Sequence, residues 1–192
     1  VVPALFGVRA VSGGDWTGAG WYVAATIGAV CSAFAIRQGS VRGALRAALL
    51  PIAVGATGFA AVYSALHVST GTPISAGEIV MTVVQYTALY FPAAFLLEEV
   101  SFRGALDAHV HHRGESHGLA SAVFVSALWG LWHLPVSGAL PLPLPQQAAV
   151  LVTVHVLLGV PLSLAWRRAR NLAGPAFAHG FNDAVRNAFM AG

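Results

Sequence analysis

The 192-residue chain is 57% hydrophobic and only 9% charged, with ten basic residues, all Arg, and seven acidic ones for a net charge of +3. A soluble domain carries about 25% charged residues, so a soluble surface is excluded, and a mean hydropathy of +0.71 excludes disorder. One Cys excludes a disulfide framework or a thiolate metal site, and the small Arg excess does not imply a nucleic-acid surface.

What remains is an integral membrane protein, and the gaps between charges lay out its elements. Residues 1–18 are too short and too Gly-rich to cross a bilayer and are expected to form an extracytoplasmic segment. They carry no secretory leader pattern, and because the chain opens on Val1 a preceding piece stays open. Uncharged runs follow: 21 residues from Trp16 to Ile36, 31 between Arg46 and Glu78, 19 between Glu78 and Glu98, and 51 between Glu115 and Arg167. A helix needs roughly 20 apolar residues to cross a ~30 Å hydrocarbon layer. The longest run therefore holds two spans, divided by Pro135, Pro141, Pro143 and Pro145, which cannot continue a helix. Spans are predicted near 19–36, 46–67, 78–100, 118–135, 146–166 and 172–190. Strand alternation is absent, so the expected fold is all-α, a polytopic membrane bundle of about six transmembrane helices.

Arg37, Arg42 and Arg46 join the first two spans, Arg113 joins the third and fourth, and Arg167, Arg168 and Arg170 join the last two. The opposite loops, 68–77 and 136–145, carry no Lys or Arg. The positive-inside rule makes the Arg-bearing loops cytoplasmic, with Arg9 the one dissenter. Trp16 and Trp21 near the outer end of the first span fit an aromatic belt. Lys-free, Arg- and Ala-rich usage suits a GC-rich genome, so the expected location is a bacterial cytoplasmic membrane.

An ionisable side chain within a span costs at least ~2.5–3.5 kcal/mol on insertion scales and is read first as functional. Three clusters qualify, each at helical spacing. Glu98, Glu99 and Arg103 fall at the expected inner end of the third span. Glu99 and Arg103 are four apart and can pair on one face, while Glu98 lies ~100° around the helix and stays available as a base. Trp129 and His133 share a face late in the fourth span. In the last span, His179 can sit beside both Asn182 and Asp183. The bland alternatives are an interfacial acid pair, a lone satisfied His, and polar glue between helices at ~0.6–2 kcal/mol. Together the residues suit hydrolysis by activated water, one Glu and one His holding the water while a second His and an amide face an oxyanion. No Ser or Cys stands in a nucleophile motif, which disfavours covalent catalysis. His109, His111, His112 and His117 read as a solvated loop, though metal could bind there.

These clusters, in this order, resemble the CPBP family of intramembrane proteases, which includes the type II CAAX prenyl proteases and the Abi-type bacteriocin-immunity proteins. The first motif, Glu-Glu-x-x-x-Arg, is matched by Glu98, Glu99 and Arg103, with Gly104 following. In the second, Phe-x-x-x-His, Trp129 replaces Phe and His133 matches; in the third, His-x-x-x-Asn, His179 matches, Asp183 takes the last place and Asn182 comes one residue early. The resemblance implies accessory helices over 19–87 and a protease core over 88–190. It also implies Glu98 as general base acting with His133, Glu99 and Arg103 as a supporting pair, Trp129 as a pocket wall, and His179 with its i+4 neighbour as an oxyanion hole. An ionised Asp183 cannot donate to an oxyanion; a protonated Asp183 in its apolar site could, or Asn182 could substitute.

No cofactor is expected; zinc is the alternative, with Glu98, His133 and His179 as its ligands. The implied partners are the lipid bilayer and a peptide or protein substrate, CAAX-like and lipid-modified or of leader or bacteriocin type. A non-catalytic immunity or partner protein of the same fold is the first rival, and a proton-coupled transporter the second. The second predicts repeated broken helices, and the sequence has no internal repeat.

Overall fold

The computed structural model describes residues 8, 10–71, 75–112, 114–136 and 142–191, and among these it is helical throughout. Six long helices alternate in direction through short connections: α1 (Gly18–Gln38, preceded by a first turn from Trp16), α2 (Val41–Thr70), α3 (Ala76–Val110), α4 (Leu119–Trp132), α5 (Leu144–Ala169) and α6 (Ala173–Ala191). Arg9, Arg113, and the stretches 72–74 and 137–141 of the Arg-free loops lie outside the described residues, as do 1–7 of the expected N-terminal segment.

The helix starts are written in short polar side chains. Asp15 accepts from Gly18 N at 2.8 Å, and Ser40 accepts from Gly43 N at 3.0 Å, so each occupies one amide that the first turn leaves unpaired. The turn between α5 and α6 is closed by Asn171, which accepts from Ala173 N and donates to Ala35 O at the end of α1 (2.6 Å). Inside the bundle, α6 lies between α2 and α3, and α5 packs on α4 and α2. Close approach depends on missing side chains. A Cβ on Gly180 would stand 2.6 Å from Phe91 N, and one on Gly130 would stand 2.7 Å from Leu151 O. The apolar centre gathers Ala48, Phe102, Val125, Trp129, Leu162 and Ala178.

All six expected spans are helical, and they differ from expectation in two details. Among the described residues four helices, α1, α2, α3 and α5, are long and apolar enough to cross a membrane by length and composition. Helix α4 has 14 residues, about 21 Å of axial rise. It stops at Trp132 because Pro135 disfavours helical backbone before it, and Leu134–Val136 turns as a 3₁₀ segment. Helix α6 is 19 residues long and carries the third polar cluster.

The second difference concerns α3. It does not end near residue 100 but continues to Val110, so Glu98, Glu99 and Arg103 sit within a helix rather than at its inner end. Helix α3 can continue because its charges find partners in the bundle instead of in water. From Phe95 to Asp107 it widens into a π-helix of 13 residues, which begins three residues after Pro92. Wide turns of this kind are rare and recur at functional sites.

A second polar network ties the other end of the bundle together, and sequence reading assigned its arginine only to a loop. Asp107, fully buried in α3, accepts from Arg167 Nε (2.9 Å) and Nη2 (2.5 Å) at the end of α5. Arg167 also donates to Gly118 O and Ser121 Oγ, which holds the start of α4. In the connecting loop Glu115 accepts from Ser121 N (2.7 Å), Ser121 Oγ (2.5 Å) and His111 Nδ1 (3.1 Å).

The hydrogen bonds from Ser121, side chain first and backbone second, pull the Glu115 carboxyl from its ordinary 4.5 down to about 2. A depressed folded-state value stabilises the fold above 4.5 and loses that contribution as pH falls towards 2. The Glu115→Gln variant is therefore expected to lose less thermal stability than the parent between pH 5 and about 2. Melting curves of the two proteins across that window check it.

Candidate active site

The three sequence clusters come together in one cavity of about 640 Å³. Glu98, on the widened part of α3, accepts from Trp129 Nε1 of α4 at 2.6 Å. The same oxygen, Oε2, stands 3.7 Å from His133 Nε2 and 3.8 Å from His179 Nε2. Carbonyl oxygens can only accept, so the 2.9 Å contact from His133 Nδ1 to Trp129 O fixes that ring's proton on Nδ1 and turns Nε2 to the cavity. Carboxylate and imidazole thus face a common point from three helices.

Beneath Glu98 lies a dry layer. Glu99 and Arg103 are both fully buried and pair at 3.1 Å, the i,i+4 contact expected from sequence, kept within the wide turn. Glu99 Oε1 also accepts from His179 Nδ1 at 2.9 Å, which orients that ring. Arg103 Cζ lies 4.3 Å from the centre of the Trp129 ring, a cation–π contact in a desolvated setting. Trp129 therefore connects the two layers, stacking on Arg103 with its face while donating to Glu98 from its edge. A Phe there has no N–H to give.

The third motif divides. Asp183 Oδ2 stands 3.4 Å from His179 Nε2, and Oδ1 pairs with Arg186 Nη1 at 3.1 Å. The departure from Asn thus comes with a cation one turn further along α6. Asn182, which also lines the cavity, donates from its amide to Pro51 O of α2 at 3.1 Å and ties two helices together.

Sequence reading missed His155. It lies 4.3 Å, centre to centre, from the His133 ring and 4.5 Å from Trp129, and its Nδ1 donates to Leu151 O at 2.7 Å. The signal was present, since His155 sits inside the same uncharged run that holds His133. His109, His111, His112 and His117 are not among the cavity-lining residues. Among the described residues no group of three His, Cys, Asp or Glu side chains is arranged to hold a metal ion.

Around the polar floor the walls are apolar and aromatic, including Phe59 and Tyr63 from α2, Tyr90 from α3, and Val154 and Leu158 from α5. The accessory helices thus build part of the chamber, with Trp21 of α1 at its rim against Tyr90.

Fold and cavity together define a multi-pass helical membrane protein with a chamber lined by carboxylates and imidazoles. The profile of the type II CAAX prenyl endopeptidase Rce1-like family matches residues 80–185. That is more than half of the chain, which belongs to this family of membrane proteases. No curated protein and no solved structure matches the chain.

Proposed function

We propose that the protein hydrolyses a peptide bond of a membrane-associated substrate with activated water and no covalent enzyme intermediate. The convergence of Glu98 Oε2 with the Nε2 atoms of His133 and His179, at 3.7 and 3.8 Å, carries this reading. A gap of that size between hydrogen-bonding atoms suits one bridging water.

In this mechanism Glu98 takes a proton from the water while His133 Nε2 holds it, and the water oxygen adds to the scissile carbonyl carbon. The carbonyl oxygen becomes an oxyanion facing His179, whose ring Glu99 and Asp183 orient. The proton on Glu98 then passes to the departing amine nitrogen as the C–N bond breaks, which returns the carboxylate. Asp183 acts here as an acceptor that positions His179, not as an oxyanion donor. Trp129 holds Glu98 in place, and the Glu99–Arg103 pair supports the floor.

The apolar walls favour aliphatic or lipid-modified segments, which agrees with a CAAX-like substrate. A fluorescent peptide with an S-farnesylated cysteine followed by three aliphatic residues tests this reading with purified protein in nanodiscs. His133→Ala is expected to lower kcat by about 10²-fold or more, and His109→Ala to leave it unchanged. Equal loss in both variants, or in neither, would count against the assignment.

A further inference from the structure

Most of the described arginines lie at the end of the bundle opposite the cavity. Arg37 is in the last turn of α1, Arg42 and Arg46 are in the first turns of α2, and Arg167, Arg168 and Arg170 are at the end of α5. These are six of the eight Arg among the described residues, the others being Arg103 in the core and Arg186 in α6. The cavity runs from the middle of the bundle, at Glu98, Leu162 and His179, to the opposite end of the helices. It is lined by Trp21 early in α1, Tyr63 late in α2, His133 just past α4, Leu151 early in α5 and Met190 late in α6.

Toward the Arg end the chamber is stopped by packed side chains. Arg103, Asp107, Val125 and Ser126 are at 0% exposure, and Leu162, which lines the cavity, is at 1%. Along α6, side-chain exposure rises the other way, from 5% at His179 to 24% at Asp183 and 38% at Arg186. Charged groups that open in that order need water or headgroups at that end, because hydrocarbon would penalise them.

Six Arg at one end mark that end as cytoplasmic by the positive-inside rule. We infer that the cavity is entered from the extracytoplasmic face, and that its substrate is a peptide segment presented there, either an exported peptide or the outer segment of a membrane protein. This rests on reading the cavity as the peptidase site, and it reverses the cytoplasm-facing placement expected for Glu98 from sequence.

The test uses the full chain with Cys31→Ser, carrying either Met190→Cys at the mouth or Ala169→Cys among the arginines. A charged, membrane-impermeant maleimide is applied to intact right-side-out vesicles. Met190→Cys is expected to label in intact vesicles, and Ala169→Cys only after permeabilisation; the reverse pattern overturns the inference. The same vesicles, right-side-out or inverted, receive the farnesylated peptide joined to a sulfonated fluorophore that cannot cross the bilayer. At least tenfold faster cleavage by right-side-out vesicles is expected, and faster cleavage by inverted ones overturns the inference. Cleavage in neither, with labelling as expected, counts against the peptidase reading alone, since labelling reports sidedness without activity.

Discussion

Glu98→Gln is expected to lower peptide hydrolysis by about 10³-fold, within the 10²–10⁴ range typical of a positioned acid or base, while leaving the melting temperature close to that of the parent. The amide keeps the size of the carboxylate and an oxygen that can still accept from Trp129 Nε1, a 2.6 Å bond in the parent. What it loses is the ability to take a proton from water. Trp129→Phe makes the complementary change: the carboxylate stays and its N–H donor goes, leaving Glu98 to swing in a cavity of about 640 Å³. A smaller loss, about tenfold, is expected there, because the base survives and only its placement suffers. Turnover in nanodiscs measured beside the melting curve separates chemistry from folding. A Glu98→Gln enzyme that still cleaves at the parent rate would end the glutamate mechanism, whatever the family membership says of the chain.

The legible parts of the molecule were those where charge is scarce. Gaps between charges located the helices because each ionisable group in hydrocarbon must find a partner, so the few that remain mark either ends or sites. The i,i+4 pair of Glu99 and Arg103 could be read directly, since spacing along one helix fixes proximity. Contacts between helices could not be read. Arg167 looks like a loop charge in the sequence, and only packing of α5 against α3 brings it to Asp107, sixty positions away. Likewise, nothing in the order of residues tells that Trp129 reaches Glu98, or that Asn182 faces Pro51 while Asp183 faces His179. The end of α3 was misjudged for the same reason. Glu98, Glu99 and Arg103 read as a water boundary until each is seen to have a partner inside the bundle.

The largest expected effect on stability lies in the layer beneath the site. Glu99 and Arg103 are both at 0% side-chain exposure, and their 3.1 Å contact is shared with His179 on one side and the Trp129 ring on the other. A neutral hydrogen bond between membrane helices is worth only about 0.6 kcal/mol on average, but stranding a buried charge costs about 3–5 kcal/mol. Arg103→Met leaves the Glu99 carboxylate without its cation, and Glu99→Gln leaves the guanidinium without its anion. Each single variant is therefore expected to lose stability on that charge scale. The double variant removes both charges, keeps an acceptor for His179 Nδ1, and fills the space beside Trp129 with an apolar chain. It should recover most of the loss, ending within about 1–2 kcal/mol of the parent, because replacing a whole buried pair is often close to neutral. Unfolding titrations of the four proteins in mixed micelles give the coupling energy directly. If the double variant falls by the sum of the single losses, the two residues act independently, and the floor of the cavity is held by something other than their charge pair.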